Sequence, residues 1–142
     1  MINRKFSVFF IIFLIYACYC NNENWDYYDE GLCILEIGDL TLVVSGIFIE
    51  SLPSEAIVDE IEIDVKIVHD EPSNLEISMI HDNDTTSVWE NNFPGGTQRK
   101  SIESFVNTPA NGYWALMIYD EVEDGKEGCL YKFSLKLNYY IR

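Results

Sequence analysis

The segment from residue 61 to residue 67 constrains the fold more than any other part of the sequence. It reads Ile-Glu-Ile-Asp-Val-Lys-Ile, so apolar and charged side chains alternate with a period of two. In a β-strand this alternation places the apolar side chains on one face and the charged ones on the other, whereas a helix would scatter them around its axis. The segment therefore predicts a half-buried strand of an antiparallel sheet.

The same alternation recurs at residues 75–79 and 131–137, while residues 42–49 and 113–119 are apolar on both faces, as expected for central strands. Turn-forming Pro, Gly, Asn and Asp residues separate these segments. We find no convincing helical period over ten or more residues in the region that follows the first twenty. The pattern predicts an all-β domain, a jelly-roll sandwich or barrel of about eight antiparallel strands.

The first twenty residues have the pattern of a removable signal peptide. Arg4 and Lys5 precede an apolar run over residues 6–16, which is too short to cross a bilayer core of about 30 Å as a helix. Ala17, Cys18 and Cys20 follow, and cleavage after Cys20 would place small side chains at both the −3 and the −1 positions relative to the cleavage site. We therefore expect a secreted protein with no transmembrane anchor after signal removal.

A second interpretation of the N-terminus remains open. Residues 15–18 read Ile-Tyr-Ala-Cys, which loosely resembles a bacterial lipobox, although its tyrosine is bulky for that pattern. In that case Cys18 would be lipidated and would anchor the protein to a membrane.

The remaining chain fits one domain and is strongly acidic. We divide it into a signal peptide at 1–20, an N-terminal leading segment at 21–35 and a β-domain at 36–142. The full chain has 24 acidic and 9 basic residues, and loss of two basic residues with the signal peptide gives 7 − 24 = −17. Such a surface repels phosphate backbones, which excludes nucleic acid as a partner, and it favours calcium or a basic protein.

Two cysteines, Cys33 and Cys129, remain after signal removal. An even pair in an oxidising compartment is typical of a disulfide. Neither cysteine has the histidine neighbour or the Cys-x-x-Cys spacing that would indicate metal binding or redox chemistry. We predict a structural disulfide between them.

Two blocks of sequence, taken in order, resemble a known module. The first block contains VDEIEIDVKIVH at 58–69, NLEISM at 74–79 and TTSVW at 85–89; the second contains NGYWALMIYD at 111–120 and GCLYKFSL at 128–135. Together they resemble the P domain, or Homo B domain, that follows the catalytic domain in kexin- and furin-like subtilisin proteases. The resemblance covers about residues 36–139 and implies an eight-stranded jelly roll that serves as a protease accessory.

The chain departs from the family pattern at three places. Asn74 stands where the family usually has Asp, His-Asp-Asn-Asp at 81–84 replaces the usual Ser-Pro-x-Gly turn, and Phe133 replaces the closing Trp. Asp and Asn also suit tight turns, so these differences do not affect the expected fold. They do put in doubt any ligand contact that the usual residues make in the family.

The resemblance does not imply proteolysis. A subtilisin-type triad needs Asp, His and Ser on a separate domain of several hundred residues. This chain has only His69 and His81, and it has no Gly-Thr-Ser nucleophile turn. We expect a protein that is not an enzyme.

Two residues of the motif are interpreted as structural. His69 ends a predicted strand, where the family also has a His, and we expect a hydrogen-bonding role; the alternative is a proton shuttle with Asp70 and Glu71. Trp114 lies between apolar residues and is expected in the core; the alternative is a platform for sugar stacking.

Two acidic turns are candidate calcium sites, because calcium prefers clustered carboxylate oxygens. Neither turn has EF-hand spacing, so solvated acidic turns remain the alternative. The candidate calcium ligands are Asp82, Asp84, Asp120, Glu121 and Asp124.

One of these turns also carries a candidate modification site. Asn83 begins an Asn-Asp-Thr sequon on a predicted exposed turn, which indicates N-glycosylation in a eukaryotic host.

The sequence therefore predicts a secreted, non-catalytic, P-domain-like module. Its expected partner is another protein, a subtilisin-like protease that it stabilises or regulates. The alternative is a jelly-roll module that binds calcium or carbohydrate, since this architecture also serves lectins.

Overall fold

The computed structural model describes residues 6–11 and 32–142. No helix in these residues is long and apolar enough to cross a membrane. The strands are β1 (Phe6–Ile11), β2 (Leu35–Ile37), β3 (Leu42–Ile49), β4 (Ala56–His69), β5 (Leu75–His81), β6 (Asp84–Glu90), β7 (Gly96–Ser101), β8 (Gly112–Asp120) and β9 (Gly128–Ile141), with short 3-10 turns at Pro72–Asn74 and Glu103–Phe105.

The strands form two antiparallel sheets. Sheet A has the order β1-β9-β4-β7, and β2 also pairs with β9. Sheet B has the order β3-β8-β5-β6. The predicted all-β sandwich is confirmed, with eight strands between residues 35 and 141.

The core lies between the inner faces of the two sheets. On β4 the four apolar residues of the alternating segment are each at most 1% exposed. Burial of each such side chain stabilises the fold by roughly 1.5–3 kcal/mol before the entropic cost of ordering it. The side chains that meet them from sheet B and complete the core include Ile77, Met79, Trp114, Leu116 and Ile118.

The disulfide between Cys33 and Cys129 is confirmed, with Cα atoms 5.6 Å apart. It joins the leading segment to β9, and the Ile34 N–H donates to the Leu130 carbonyl at 2.8 Å beside it. The bridge spans a sequence separation of 96 residues. A cross-link of that span stabilises by about 4–5 kcal/mol in the chain-entropy model.

The N-terminal strand β1 lies within the predicted signal peptide. It pairs antiparallel with β9, from Phe6 opposite Tyr139 to Ile11 opposite Ser134. Residues 1–5 and 12–31, which include the predicted cleavage site and Cys18, lie outside the described residues. Signal cleavage and lipidation therefore stay predictions.

Candidate protein-docking surface

The outer face of sheet A is polar and internally paired. Lys132 Nζ lies 2.9 Å from Asp64 Oδ2 in the middle of the sheet. Arg99 reaches the same carboxylate oxygen at 3.5 Å and Glu62 at 3.6 Å. Asp64 itself is buried at 3% exposure, whereas the Arg99 side chain above it is 52% exposed. Because these opposite charges pair with one another, this part of the outer face offers no apolar patch.

The outer face of sheet B is apolar. The β3–β8 register places Leu42 opposite Tyr119, Val44 opposite Met117 and Phe48 opposite Tyr113. Four of these side chains are exposed by 57% (Leu42), 42% (Val44), 65% (Phe48) and 39% (Tyr113). A contiguous exposed apolar patch is typical of an interaction site, whereas single scattered apolar residues are not. We call this patch the apolar face: Leu42, Val44, Phe48, Tyr113, Met117 and Tyr119.

Gly46 lies in the middle of the apolar face. A Cβ atom at this position would collide with the ring of Tyr113. The tyrosine therefore lies flat over the glycine backbone on the neighbouring strand, and the centre of the face carries no projecting side chain. The middle of the apolar face is therefore flat, which suits contact with another protein surface.

Sequence reasoning leads us to expect an exposed hydrophobic sheet face for docking, but it did not locate that face on β3 and β8. Residues 42–49 were expected to form a central strand because both of their faces are apolar, but β3 is the edge strand of sheet B. That expectation was wrong because only the Ser45, Ile47 and Ile49 side is buried, while the opposite side is open to solvent. The apolar residues at alternate positions of this segment could have indicated an exposed binding face. The same residues are equally typical of a strand that is buried on both faces.

An acidic group borders the apolar face on the side of β5 and β6. Glu76 on β5 lies directly opposite Glu90 on β6, so two like charges face each other. A hydrogen bond with Glu121 raises the pKa of Glu76 above its ordinary value, and partial burial and the nearby negative charges raise this pKa further. Asn91 Nδ2 donates to Glu121 Oε2 at 2.9 Å. We call Glu76, Glu90 and Glu121 the acidic rim.

A shallow depression joins the rim to the face. It has a volume of about 280 Å³. Its lining is Leu42, Glu76, Ser78, Met117 and Tyr119. The arrangement offers an apolar surface next to carboxylates that have no ion pair with a basic residue of the described ranges, which suits a partner that is apolar and carries Lys or Arg.

His69 and Asp120 connect the ends of β4 and β8, and thus the two sheets. His69 Nε2 lies 3.1 Å from Asp120 Oδ2, and both side chains are fully buried. The Glu71 N–H donates to His69 Nδ1, so the ring hydrogen lies on Nε2 and faces the carboxylate. The contact does not meet the geometry of a regular hydrogen bond, although the two atoms are close. Full burial of this pair supports the structural interpretation of His69 over that of a proton shuttle.

Trp114 is fully buried, and its indole N–H donates to the Ala110 carbonyl at 3.1 Å. A sugar would have no access to the ring. Its place in the core therefore supports the structural interpretation over a stacking platform.

The predicted calcium ligands lie at opposite ends of β8. Asp82 accepts from the Tyr113 N–H at the start of the strand, whereas Asp120 ends it. Seven residues at about 3.3 Å each separate these points by about 23 Å. Asp124 also accepts from Asn74 Nδ2 at 3.0 Å. In the described ranges no group of three or more His, Cys, Asp or Glu residues could hold a metal ion.

Each acidic turn by itself remains a predicted calcium site. Its test is the thermal unfolding midpoint with millimolar calcium and with chelator. Asn83 and Asp84 lie in and beside the tight turn between β5 and β6, with both residues exposed. This exposure leaves the predicted glycosylation sequon accessible.

The sequence of residues 58–137, more than half of the chain, matches the family Proprotein convertase P-domain. The chain therefore belongs to this family. The P domain is a non-catalytic accessory domain of proteases and is typically extracellular, which agrees with the predicted class of protein. Comparison with curated proteins finds no match.

Solved structures share the fold at low sequence identity. A chain from the Aeromonas sobria serine protease–chaperone complex superposes with a TM-score of 0.67 at 12% identity, covering 98% of this chain and 28% of that one. The serine protease of Aeromonas sobria gives 0.63 at 12% identity, covering 96% and 27%. FlhE gives 0.60 at 7% identity and covers 96% of both chains. The protein thus spans little more than a quarter of the two Aeromonas chains.

Proposed function

We propose that this protein is a secreted, non-catalytic P-domain module that binds a subtilisin-like protease and stabilises or regulates it. Membership of the P-domain family supports the association with a protease. The observation that carries the binding role is the apolar face, where Phe48 is 65% and Leu42 57% exposed although sheet A has a charged outer face.

The apolar face supplies only part of a standard interface. From Leu42 to Phe48 it extends about 20 Å along β3, and across its two strands, β3 and β8, it is about 10 Å wide. Its projected area is on the order of 200 Å², whereas a stable complex buries about 800 Å² on each partner. The partner must therefore also contact residues that flank the face.

The acidic rim is the flanking surface that defines the partner's charge. Glu76 and Glu90 lie opposite each other, and like charges in that arrangement destabilise the free protein. A Lys or Arg of the partner would relieve this repulsion and would lower the pKa of Glu76. Binding in the pH range where Glu76 titrates would then release a proton, and its affinity would fall with salt.

Affinity capture from the secreted fraction of the native source tests the proposal. The bait is the tagged secreted protein, compared with Phe48→Glu, which places a charge on the apolar face. Thr97→Glu is the matched control, because Thr97 is exposed on β7 of sheet A opposite Lys66. Wild type and the control should retain a subtilisin-like protease, and Phe48→Glu should retain at least about tenfold less.

The captured protease provides a second measurement. Its thermal inactivation should slow when the wild-type protein is added back, since a ligand of the folded state stabilises it by mass action. Equal capture by Phe48→Glu, or the absence of any subtilisin-like protease from the wild-type eluate, would overturn the proposal. Circular dichroism of each variant establishes that it is folded.

A further inference from the structure

The outer edge of β3 lacks the protection found on the other edge strands within residues 32–142. β3 reads Leu-Val-Val-Ser-Gly-Ile-Phe-Ile and contains no charged residue and no proline. Proteins usually guard such edges with charges, because an open edge can pair with another chain. The other edges carry charges of this kind: Glu36 on β2, Asp84 and Glu90 on β6, and Arg99 and Lys100 on β7.

The backbone of this edge is available for pairing. All eight residues of β3 pair with β8 on one side. In an antiparallel ladder alternate residues direct their N–H and C=O groups to the opposite side, which leaves about four residues facing away from β8. No residue of the described ranges donates to or accepts from these groups through the backbone.

The edge is continuous with the apolar face. Leu42, Val44 and Phe48 belong to both, since they project from the outward side of the edge strand. A strand added beside β3 would place every second side chain next to these residues. It would also supply contact area that the apolar face by itself lacks.

The negative charge around β3 indicates which kind of strand could pair with this edge. Glu50 follows β3 directly and is exposed, and Asp39 lies shortly before the strand. The whole chain has a formal net charge of −15, so two copies paired edge to edge would repel each other. A strand with basic residues at its ends would be attracted to both ends of β3.

We propose that β3 accepts an extended strand from the partner protein, which enlarges sheet B by strand addition. The added strand has apolar residues at alternate positions and Lys or Arg at its ends. Main-chain hydrogen bonds to β3 contribute affinity, and the apolar face selects the side chains. This inference rests on the proposed function and specifies its binding mode.

Three synthetic peptides test the mode of binding. The first alternates valine and threonine over eight residues with two lysines at each end. The second has the same sequence with four central N-methylated residues, which removes the strand donors on both edges. The third has glutamates in place of the lysines. Titration followed by NMR and by amide hydrogen exchange reports both affinity and protection of β3.

The lysine peptide should bind and slow the exchange of β3 amides. The N-methylated and glutamate peptides should each bind at least about tenfold more weakly, and Phe48→Glu should weaken binding of the lysine peptide. Protection confined to β6 or β7, or a stable dimer of the free protein paired through β3, would overturn the inference.

The two proposals fail differently. Equal binding of the N-methylated and unmodified peptides, with loss on Phe48→Glu, would exclude strand addition and leave docking on the apolar face intact. Failure of every peptide to bind would also overturn strand addition, while protease capture would still report separately on the proposed function.

Discussion

The imidazole of His81 stacks on the indole of Trp114, with ring centroids 3.5 Å apart and planes inclined by 7°. His81 Nε2 lies 2.7 Å from the Pro109 carbonyl oxygen, and Nδ1 lies 3.2 Å from that of Tyr113. Phe105 contacts both rings edge-on. The histidine that ends β5 therefore fixes the segment preceding β8, and with it the tyrosine that lies over Gly46.

Replacing His81 with phenylalanine tests this role. The variant His81→Phe keeps an aromatic ring against Trp114 but leaves the Pro109 carbonyl without its hydrogen bond. A buried acceptor left unpaired costs about 1–3 kcal/mol, so the urea midpoint should fall accordingly. Ser87→Ala, at an exposed position of β6, serves as the control and should change stability by less than about 0.5 kcal/mol. An unchanged midpoint for His81→Phe would contradict the assignment.

The acidic rim predicts a pH-dependent effect of Glu76→Gln. The pKa of Glu76 is raised by its hydrogen bond with Glu121 and by burial and neighbouring charge. A raised pKa in the folded state favours the protonated form, so this contribution to stability is present at low pH and is lost as the pH rises through that pKa. Glutamine stays neutral throughout, so its advantage should appear only at higher pH.

Thermal unfolding at two pH values measures this effect. Glu76→Gln should raise the midpoint by about 1–4 °C near pH 7, because opposed like charges cost a few tenths to one kcal/mol, and by almost nothing near pH 3. Glu55→Gln, an exposed position outside the rim, is the control. A similar gain at both pH values would show that the charge of Glu76 is not responsible.

Gly128 is required by the buried pair of His69 and Asp120. A Cβ at residue 128 would collide with the His69 ring and the Val68 carbonyl. The variant Gly128→Ala should therefore displace His69 and destabilise the protein by about 1–3 kcal/mol, as overpacking does. Chemical denaturation measures the loss. Gly38→Ala, where the added methyl would only touch Thr41 at 3.6 Å, should be nearly neutral, and equal losses at both positions would refute the explanation.

The exposed turn after β5 predicts glycosylation when the protein is secreted from a eukaryotic host. Asn83 is solvent-exposed and begins an Asn-Asp-Thr sequon. Wild type should lose mass on treatment with a peptide N-glycosidase, and Asn83→Gln should migrate like the treated wild type. Asn92→Gln, an exposed asparagine without a sequon, should behave like wild type. A wild-type mass unaffected by the enzyme would disprove modification.

Local patterns carried the prediction of fold class. Alternation over residues 61–67 is a property of the chain itself, because the period of two has only one regular conformation that separates apolar from charged side chains. The pairing of Cys33 with Cys129 followed because only two cysteines remained after the predicted signal peptide, and the structure places their Cα atoms 5.6 Å apart.

The same local patterns could not predict which strands lie next to each other in a sheet. Residues 42–49 have the composition of a central strand, yet the sheet order makes them an edge. Asp120 looked like a member of an acidic turn, but it is fully buried against His69, which is 51 positions earlier in the chain. The positions of these residues depend on which strands pair, and no local period encodes that choice.

The sequence by itself determined five of the nine strands, the turns between them, the disulfide and the acidic charge, because each depends on residue type and near neighbours. Only the tertiary structure decided which apolar strand face is buried and which is open. A sandwich buries only one face of each sheet. Strand order therefore leaves Leu42, Val44 and Phe48 exposed beside an unguarded edge, although the chain gives them the same apolar character as the residues of the core.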